Sequence, residues 1–253
     1  MRANLRVGLA VPVILLMVLT LSCTGGPAAG TSAQRTSSPT TSVQTDAPEC
    51  VVILLDGTGS YNNLPRAAQI ASQIPCALPG GSVLYVRWIT ANSISDEASI
   101  LSATIPAAPP QILNPFDPRQ KLAFARSQVK RQEVLTDIVQ VLNSVHPPKP
   151  PYHDNYTDIE GALQAAADRY SEHSNLAPEL VIFSDLVENA HIAFKRLSLR
   201  NVDVVVLGFQ VTGPEAERVK ADWVAKFRKL GAKSVTFRYL DDPSVRALLR
   251  RPS

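Results

Sequence analysis

From residue 49 onward, short unbroken apolar runs alternate with stretches in which apolar side chains recur every third or fourth position. The runs at 51–55, 83–89, 180–184, 202–209 and 235–239 read as strands. A run without polar alternation is a strand covered on both faces, as in a parallel sheet packed between helices. The periodic stretches between them read as helices. Residues 64–74 place Ala67, Ile70, Ala71 and Ile74 on one face, with Pro65 suited to a first turn. A long helix over 119–145 places Leu122, Ala125, Val129, Ile138, Leu142 and Val145 on one expected face. The stretch 157–171 repeats Ile159, Ala162, Leu163, Ala166 and Tyr170. The stretch 214–230 repeats Val219, Trp223, Phe227 and Leu230, with Gly231 as the expected C-cap. Shorter helices are expected at 190–199 and 242–250. Strands alternating with helices predict an α/β domain, a doubly wound and mostly parallel sheet flanked by helices. One region breaks the rhythm. Residues 91–118 hold a short strand pattern near 100–105 and then five prolines, and a second proline cluster ends the long helix at 147–151. We read 91–151 as an insertion.

The N-terminus follows a different pattern. Arg2 and Arg6 precede an apolar stretch at 7–21, which has signal-peptide length and is short for a membrane-spanning helix. It ends in Leu19-Thr20-Leu21-Ser22-Cys23, which resembles a bacterial lipoprotein signal, although leucine is usual where Thr20 stands. That resemblance implies cleavage before Cys23 and acylation of its thiol, holding the chain at the extracytoplasmic side of an envelope membrane. Residues 24–48 are rich in Ser, Thr, Gly, Ala and Pro and lack large apolar side chains, so they read as a tether. The expected organisation is a signal at 1–23, a tether at 24–48 and one domain at 49–253.

Composition adds little beyond this. The chain is 45% hydrophobic and 19% charged, ordinary for a globular protein. A net charge of +3 with scattered arginines gives no reason to expect nucleic acid, and Arg246, Arg250 and Arg251 read as a solvated helix end. Cys50 and Cys76 are the remaining cysteines. If Cys50 opens the first strand and Cys76 closes the following helix, both lie at the same end of one βα unit. In an exported protein they are then expected to pair, stabilising by roughly 3 kcal/mol on the chain-entropy model. The alternative is two buried free thiols.

The candidate chemistry lies where strands end. Asp56-Gly57-Thr58-Gly59-Ser60 follows the first strand, Thr157-Asp158 opens a helix, and Ser184-Asp185 follows a later strand. In open α/β sheets ligands bind beyond the carboxyl ends of the strands. Every candidate ligand is an oxygen, which suits Mg²⁺ first, with Mn²⁺ or Ca²⁺ as alternatives. The pattern resembles a von Willebrand factor type A domain with its metal-ion-dependent adhesion site. In that family a strand ends in Asp-x-Ser-x-Ser, a threonine follows in a later loop, and an aspartate closes the central strand. Asp56 and Ser60 match, Thr58 keeps a hydroxyl in place of the first serine, and Thr157 and Asp185 match the other two motifs. The resemblance spans about residues 49–240. It implies that Thr58, Ser60 and Thr157 touch a cation, that Asp56 and Asp185 neutralise it, and that an open position accepts an acidic side chain from a partner protein.

Simpler readings stand beside this one. Thr157 with Glu160 forms a T-x-x-E capping box, which needs no metal. His153, Asp154 and Glu188 read as solvated loop residues. A haloacid-dehalogenase phosphatase would need a nucleophilic aspartate where Leu54 stands, and a dinucleotide loop would need glycine where Asn62 stands. The expected function is therefore a surface-anchored, cation-dependent protein-binding module rather than an enzyme. The alternatives are a metal-free envelope scaffold and a metal-assisted hydrolase.

Overall fold

The unbroken apolar runs form the centre of a six-stranded sheet. In the computed structural model, which describes residues 47–146, 156–189 and 197–241, the elements in chain order are β1 (Glu49–Asp56), α1 (Leu64–Ala71), α2 (Ile74–Ala77), β2 (Val83–Ile89), β3 (Ser99–Thr104), α3 (Pro118–Asn143), α4 (Ile159–Glu172), β4 (Ala177–Phe183), β5 (Asp203–Leu207), α5 (Pro214–Lys229) and β6 (Ser234–Arg238). The strand order is β3-β2-β1-β4-β5-β6. All neighbours are parallel except β3, which runs antiparallel along the edge. This is the α/β class expected from the pattern. The signal, the tether, Cys23 and the expected helix at 242–250 lie outside the described residues. So does the expected helix at 190–199, apart from its last three residues, which are not helical.

The insertion is more ordered than its prolines suggested. Its short apolar pattern is the edge strand β3, and Ile105 continues the pairing by donating its N–H to the Ser82 carbonyl at 2.8 Å. Edge strands tolerate this mixed composition because only one side needs a partner.

Period-two alternation divides the core. Val51, Ile53 and Leu55 face α1, α2 and α3, with Ile70, Ile74, Ile138 and Leu142. Val52 and Leu54 face α4 and α5, with Leu163, Ala166, Trp223 and Phe227. All eight residues of β1 are buried, so this strand is the central member of both cores. Truncating Ile53 or Leu54 to alanine is expected to cost about 2–5 kcal/mol.

The same alternation corrects the expected disulfide. Cys50 has the parity of Val52 and Leu54, which puts it on the α4 face, where Arg169 and Glu172 act on it. Cys76 lies in α2 on the opposite side of the sheet and is exposed. Both thiols are free. The two residues do share an end of one βα unit, but the sheet lies between them, and bridging geometry requires facing Cβ atoms a few ångströms apart.

The long helix also departs from expectation. Leu135, Ile138 and Leu142 are buried, with Val145 packed against the same core, whereas Leu122 and Val129 are 52% and 57% exposed. Val129 and Ile138 are nine residues apart, about two and a half helical turns, so they point to opposite sides. The apolar positions of α3 thus form two stripes, and only the C-terminal stripe faces the sheet.

Burial also raises the Cys50 thiol to about 11, chiefly by desolvation. In native protein, maleimide followed by peptide mapping should modify Cys76 rapidly and Cys50 only after unfolding, with or without prior reduction. Protection of both thiols that reductant removes would restore the disulfide.

Candidate functional site

Chain order around the sheet reverses between β1 and β4. From β1 the chain moves to β2 and β3 on one side, and from β4 to β5 and β6 on the other. Such a switch point opens a crevice at the carboxyl ends of the two strands. Asp56 and Asp185 follow those ends.

Asp56 is fully buried. The ladder with β2 runs one step beyond it, with the Gly57 N–H donating to the Ile89 carbonyl at 3.0 Å. The chain then curls back on the carboxylate. Asp56 Oδ1 accepts from the Thr58 backbone N–H at 3.0 Å and from the Thr58 hydroxyl at 2.6 Å. Ser60 Oγ lies 3.2 Å from Thr58 Oγ1 and extends the row of hydroxyls outward. Asp56 Oδ2 accepts from the Ser184 hydroxyl at 2.5 Å, across the junction of the two strands. Ser184 Oγ in turn accepts from the Leu186 N–H at 2.9 Å. Leu186 has φ 58, so the chain turns sharply after Asp185, and Trp223 holds that turn by donating its indole N–H to the Leu186 carbonyl at 3.0 Å. Asp185 is buried, and its Oδ1 accepts from the Val187 N–H at 3.0 Å.

Thr157 comes to this edge from a third loop. Its side chain is buried, and its backbone N–H donates to Asn189 Oδ1 at 2.5 Å. The Glu160 N–H donates to Glu188 Oε1 at 3.0 Å, and Lys226 bridges Glu160 and Glu188 at 2.7 Å each. The loop after β4 is thereby stitched to the start of α4. Glu188 is part of this stitch and not a solvated loop residue; His153 and Asp154 lie outside the described residues.

The capping reading of Thr157 is also revised. Asp158 is the N-cap, and its Oδ1 accepts from the Gly161 N–H at 2.8 Å. A side chain at 161 would put Cβ 2.0 Å from Asp158 Oδ2, so glycine is required there. Asp158 Oδ2 accepts from the Ser93 N–H at 3.0 Å, and the Asp158 N–H donates to the Thr90 carbonyl at 2.8 Å. The buried Arg87 guanidinium holds this loop by donating to the carbonyls of Ser93, Ile94 and Ser95. With the cap made by Asp158, Thr157 has no capping role.

The electrostatics are one-sided. Burial raises the Asp56 carboxyl from 3.8 to about 6, partly offset by the bonds from Ser184 and Thr58, while the charge of Asp185 adds to the rise. Neither aspartate is in an ion pair with an arginine, lysine or histidine among the described residues. Among those residues no group of three or more carboxylate, histidine or cysteine side chains is placed to hold a metal ion. A cation at this edge would therefore rest on two carboxylates and a set of hydroxyls, which is the donor chemistry expected for Mg²⁺.

Beside Asp56 opens a cavity of about 500 Å³ lined by Gly57, Thr58, Tyr61, Asn62, Asn143 and His146, among others. Tyr61 is a site residue not found in the sequence pattern. Its buried hydroxyl lies where a side chain on Gly208 (φ 77) would fall, 2.4 Å from a Cβ. Burial, and then the charges of Asp56 and Asp185, hold its phenol well above the usual tyrosine range. Ser184, which binds Asp56, carries no sequence signal of its own, being a serine beside a candidate aspartate.

No family model matches the chain, and no curated protein matches it. Among solved structures the chain is similar to a von Willebrand factor type A protein from Catenulispora acidiphila (13% identity, 81% of this chain, 41% of that chain, TM-score 0.44). It is similar to proximal thread matrix protein 1 from the mussel byssus (14% identity, 81% of this chain, 46% of that chain, TM-score 0.43). It is also similar to an aerotolerance-related membrane protein from Bacteroides fragilis (11% identity, 80% of this chain, 97% of that chain, TM-score 0.45). The chain spans less than half the length of the first two. The α/β class rests on the sheet order itself.

A carboxyl that holds its proton more tightly in the folded chain weakens the fold as pH rises. For Asp56 this penalty is absent below its unfolded value of 3.8, grows toward 6 and is complete above that. Its full size is on the order of 3 kcal/mol. In chelator-treated protein, Asp56→Asn should therefore raise the melting temperature at neutral pH and converge on wild type toward about pH 4. Equal destabilisation at both pH values would show that the shift is absent.

Proposed function

We propose that this edge holds a divalent cation and uses it to bind an acidic side chain of a partner protein. The observation that carries the reading is the pair of buried carboxylates, Asp56 and Asp185, set among hydroxyls with no cation paired to either among the described residues. Buried charges in proteins are paired or coordinate metals, because desolvating them alone is costly. In this reading Asp56 and Asp185 supply the negative charge, and Thr58, Ser60 and Thr157 supply neutral oxygens. Mg²⁺ suits this set best, with Mn²⁺ or Ca²⁺ as substitutes. A cation held by two carboxylates and hydroxyls keeps a position for an outside ligand, and a partner carboxylate is the natural occupant of it. Ile94, Tyr156 and Val187, each on one of the converging loops and 44%, 58% and 46% exposed, would give that partner apolar contacts around the ion. The von Willebrand factor type A pattern of the sequence agrees with this reading in all three motifs.

We place this module in a bacterial cell envelope, held at a membrane by lipid on Cys23 and spaced from it by the residues before Pro48. The support is the sequence of the N-terminal segment; no described helix is long and apolar enough to cross a membrane. In this reading the chain carries no catalytic group.

The experiment is thermal unfolding with and without cation. A ligand that binds only the folded state stabilises it by about 2.7 kcal/mol at a hundredfold excess over Kd. Millimolar Mg²⁺ or Mn²⁺ should raise the wild-type melting temperature by several degrees. Ser60→Ala, at an exposed position, should keep the apo melting temperature and lose most of that rise. An unchanged wild-type melting temperature would favour a metal-free scaffold, and turnover of phosphoesters in Mg²⁺ would favour a hydrolase.

A further inference from the structure

No residue of the N-terminal half of α3 joins either apolar core, and Phe124 on its inner side is half-buried. Leu122 and Val129 are 52% and 57% exposed on its outer stripe, and Leu113 and Phe116 in the preceding loop are 80% and 89% exposed. That loop is folded against the helix, with the N–H groups of Leu113 and Asn114 donating to Gln120 Oε1 at 3.0 Å each. The four apolar side chains therefore belong to one structural unit. Apart from the N-cap Asp117, its charge has a single sign. Between Asp117 and Glu133 the chain carries Arg119, Lys121, Arg126, Lys130 and Arg131 and no acidic residue. Arg131 is turned inward and donates to the carbonyls of Leu78 and Pro106. The other four are exposed, and none pairs with a carboxylate among the described residues. At about 100° per residue, Arg119, Arg126 and Lys130 flank the Leu122–Val129 stripe on one side and Lys121 on the other.

The position of this unit in the fold matters as much as its composition. Arg131 marks the lower edge of the domain, the end where the strands begin, because Leu78 and Pro106 flank the start of β2 and the end of β3. Asn143, at the other end of the helix, lines the cavity beside Asp56 at the upper edge. A regular helix at the lower edge by Arg131 and at the upper edge by Asn143 carries its first thirteen residues, 118–130, about 20 Å past the lower edge. The N-terminal segment enters the domain at this same edge. Pro48 lies against Gly81, and the Glu49 N–H donates to Ser82 Oγ at 3.0 Å.

We propose that 113–130 is a docking element for an anionic lipid bilayer. Phe116, Leu113, Leu122 and Val129 enter the interfacial region while Arg119, Lys121, Arg126 and Lys130 meet the headgroups. An apolar stripe bordered by four cations, with the helix-capping Asp117 as the one acid in the segment, is the composition of helices that lie on membranes. Docking through the lower edge would leave the Asp56 edge facing away from the bilayer. The proposal does not depend on a cation at that edge.

The test uses the full chain reconstituted on vesicles, with Phe116→Trp as a reporter read by difference against the parent, whose Trp88 and Trp223 are buried. The apolar N-terminal segment is common to all samples. On vesicles of phosphatidylglycerol with phosphatidylcholine, the added tryptophan should shift to the blue and be quenched by brominated acyl chains. On phosphatidylcholine alone it should do neither. Salt at 0.5 M should reverse the effect, since exposed charges are screened within a few ångströms there. Arg126→Glu with Lys130→Glu should weaken docking by about fivefold or more for each cation removed, with an unchanged melting temperature. The same emission on both vesicle types would overturn the proposal. So would a blue shift without lipid that grows with protein concentration, which would assign the face to a second copy of the chain.

Discussion

One hydrogen bond crosses the centre of this fold and organises what lies above it. Asp56 ends the most buried strand, and Ser184 follows the strand beside it; the 2.5 Å bond between them ties the two loops at the point where the sheet changes direction. A carboxylate placed there cannot be solvated by bulk water. It takes three bonds, two from Thr58 and one from Ser184, and even so its proton is held to about pH 6. The site thus begins as a cost. The architecture places a charge in the least polar part of the molecule, and the surrounding residues partly compensate it.

The loops around this charge are positioned by a second layer of polar contacts. Arg87 fixes the loop after β2, Ser93 in that loop binds Asp158, Asp158 caps α4, and Thr157 is carried into place by the capped helix. From the other side, Asn189, Glu188 and Lys226 join the β4 loop to the same helix. The hydroxyls and carboxylates are therefore held by backbone, by buried polar bonds and, at Asp56, by the hydroxyls of Thr58 and Ser184 themselves. Such preorganisation lowers the entropy lost when a ligand is captured.

Most of the fold was legible in the chain because β1, β2, β4 and β5 are apolar on both faces, and that pattern has few alternatives. The placing of Asp56 and Asp185 at the ends of neighbouring strands was legible too. What could not be read was direction around the strand or helix axis. Cys50 and Cys76 sit at one end of one βα unit, yet parity places the sheet between them. Leu122 and Ile138 both fit an apolar repeat, but the repeat slips by half a turn between Val129 and Leu135. Thr157 and Glu160 spell a capping box, yet Asp158 makes the cap, because its second oxygen also binds Ser93 across the fold. In each case a contact distant in sequence made the choice.

The central claim is that Asp56, Thr58, Ser60, Thr157 and Asp185 share one cation. Paramagnetic broadening by substoichiometric Mn²⁺ in the amide spectrum of the folded protein tests it most directly. The account predicts loss of the Gly57, Thr58, Gly59, Asp158 and Leu186 signals first, with recovery on adding excess Mg²⁺. Broadening centred on another surface, or confined to the 57–60 loop with the amides of Asp158 and Leu186 unaffected, would contradict it.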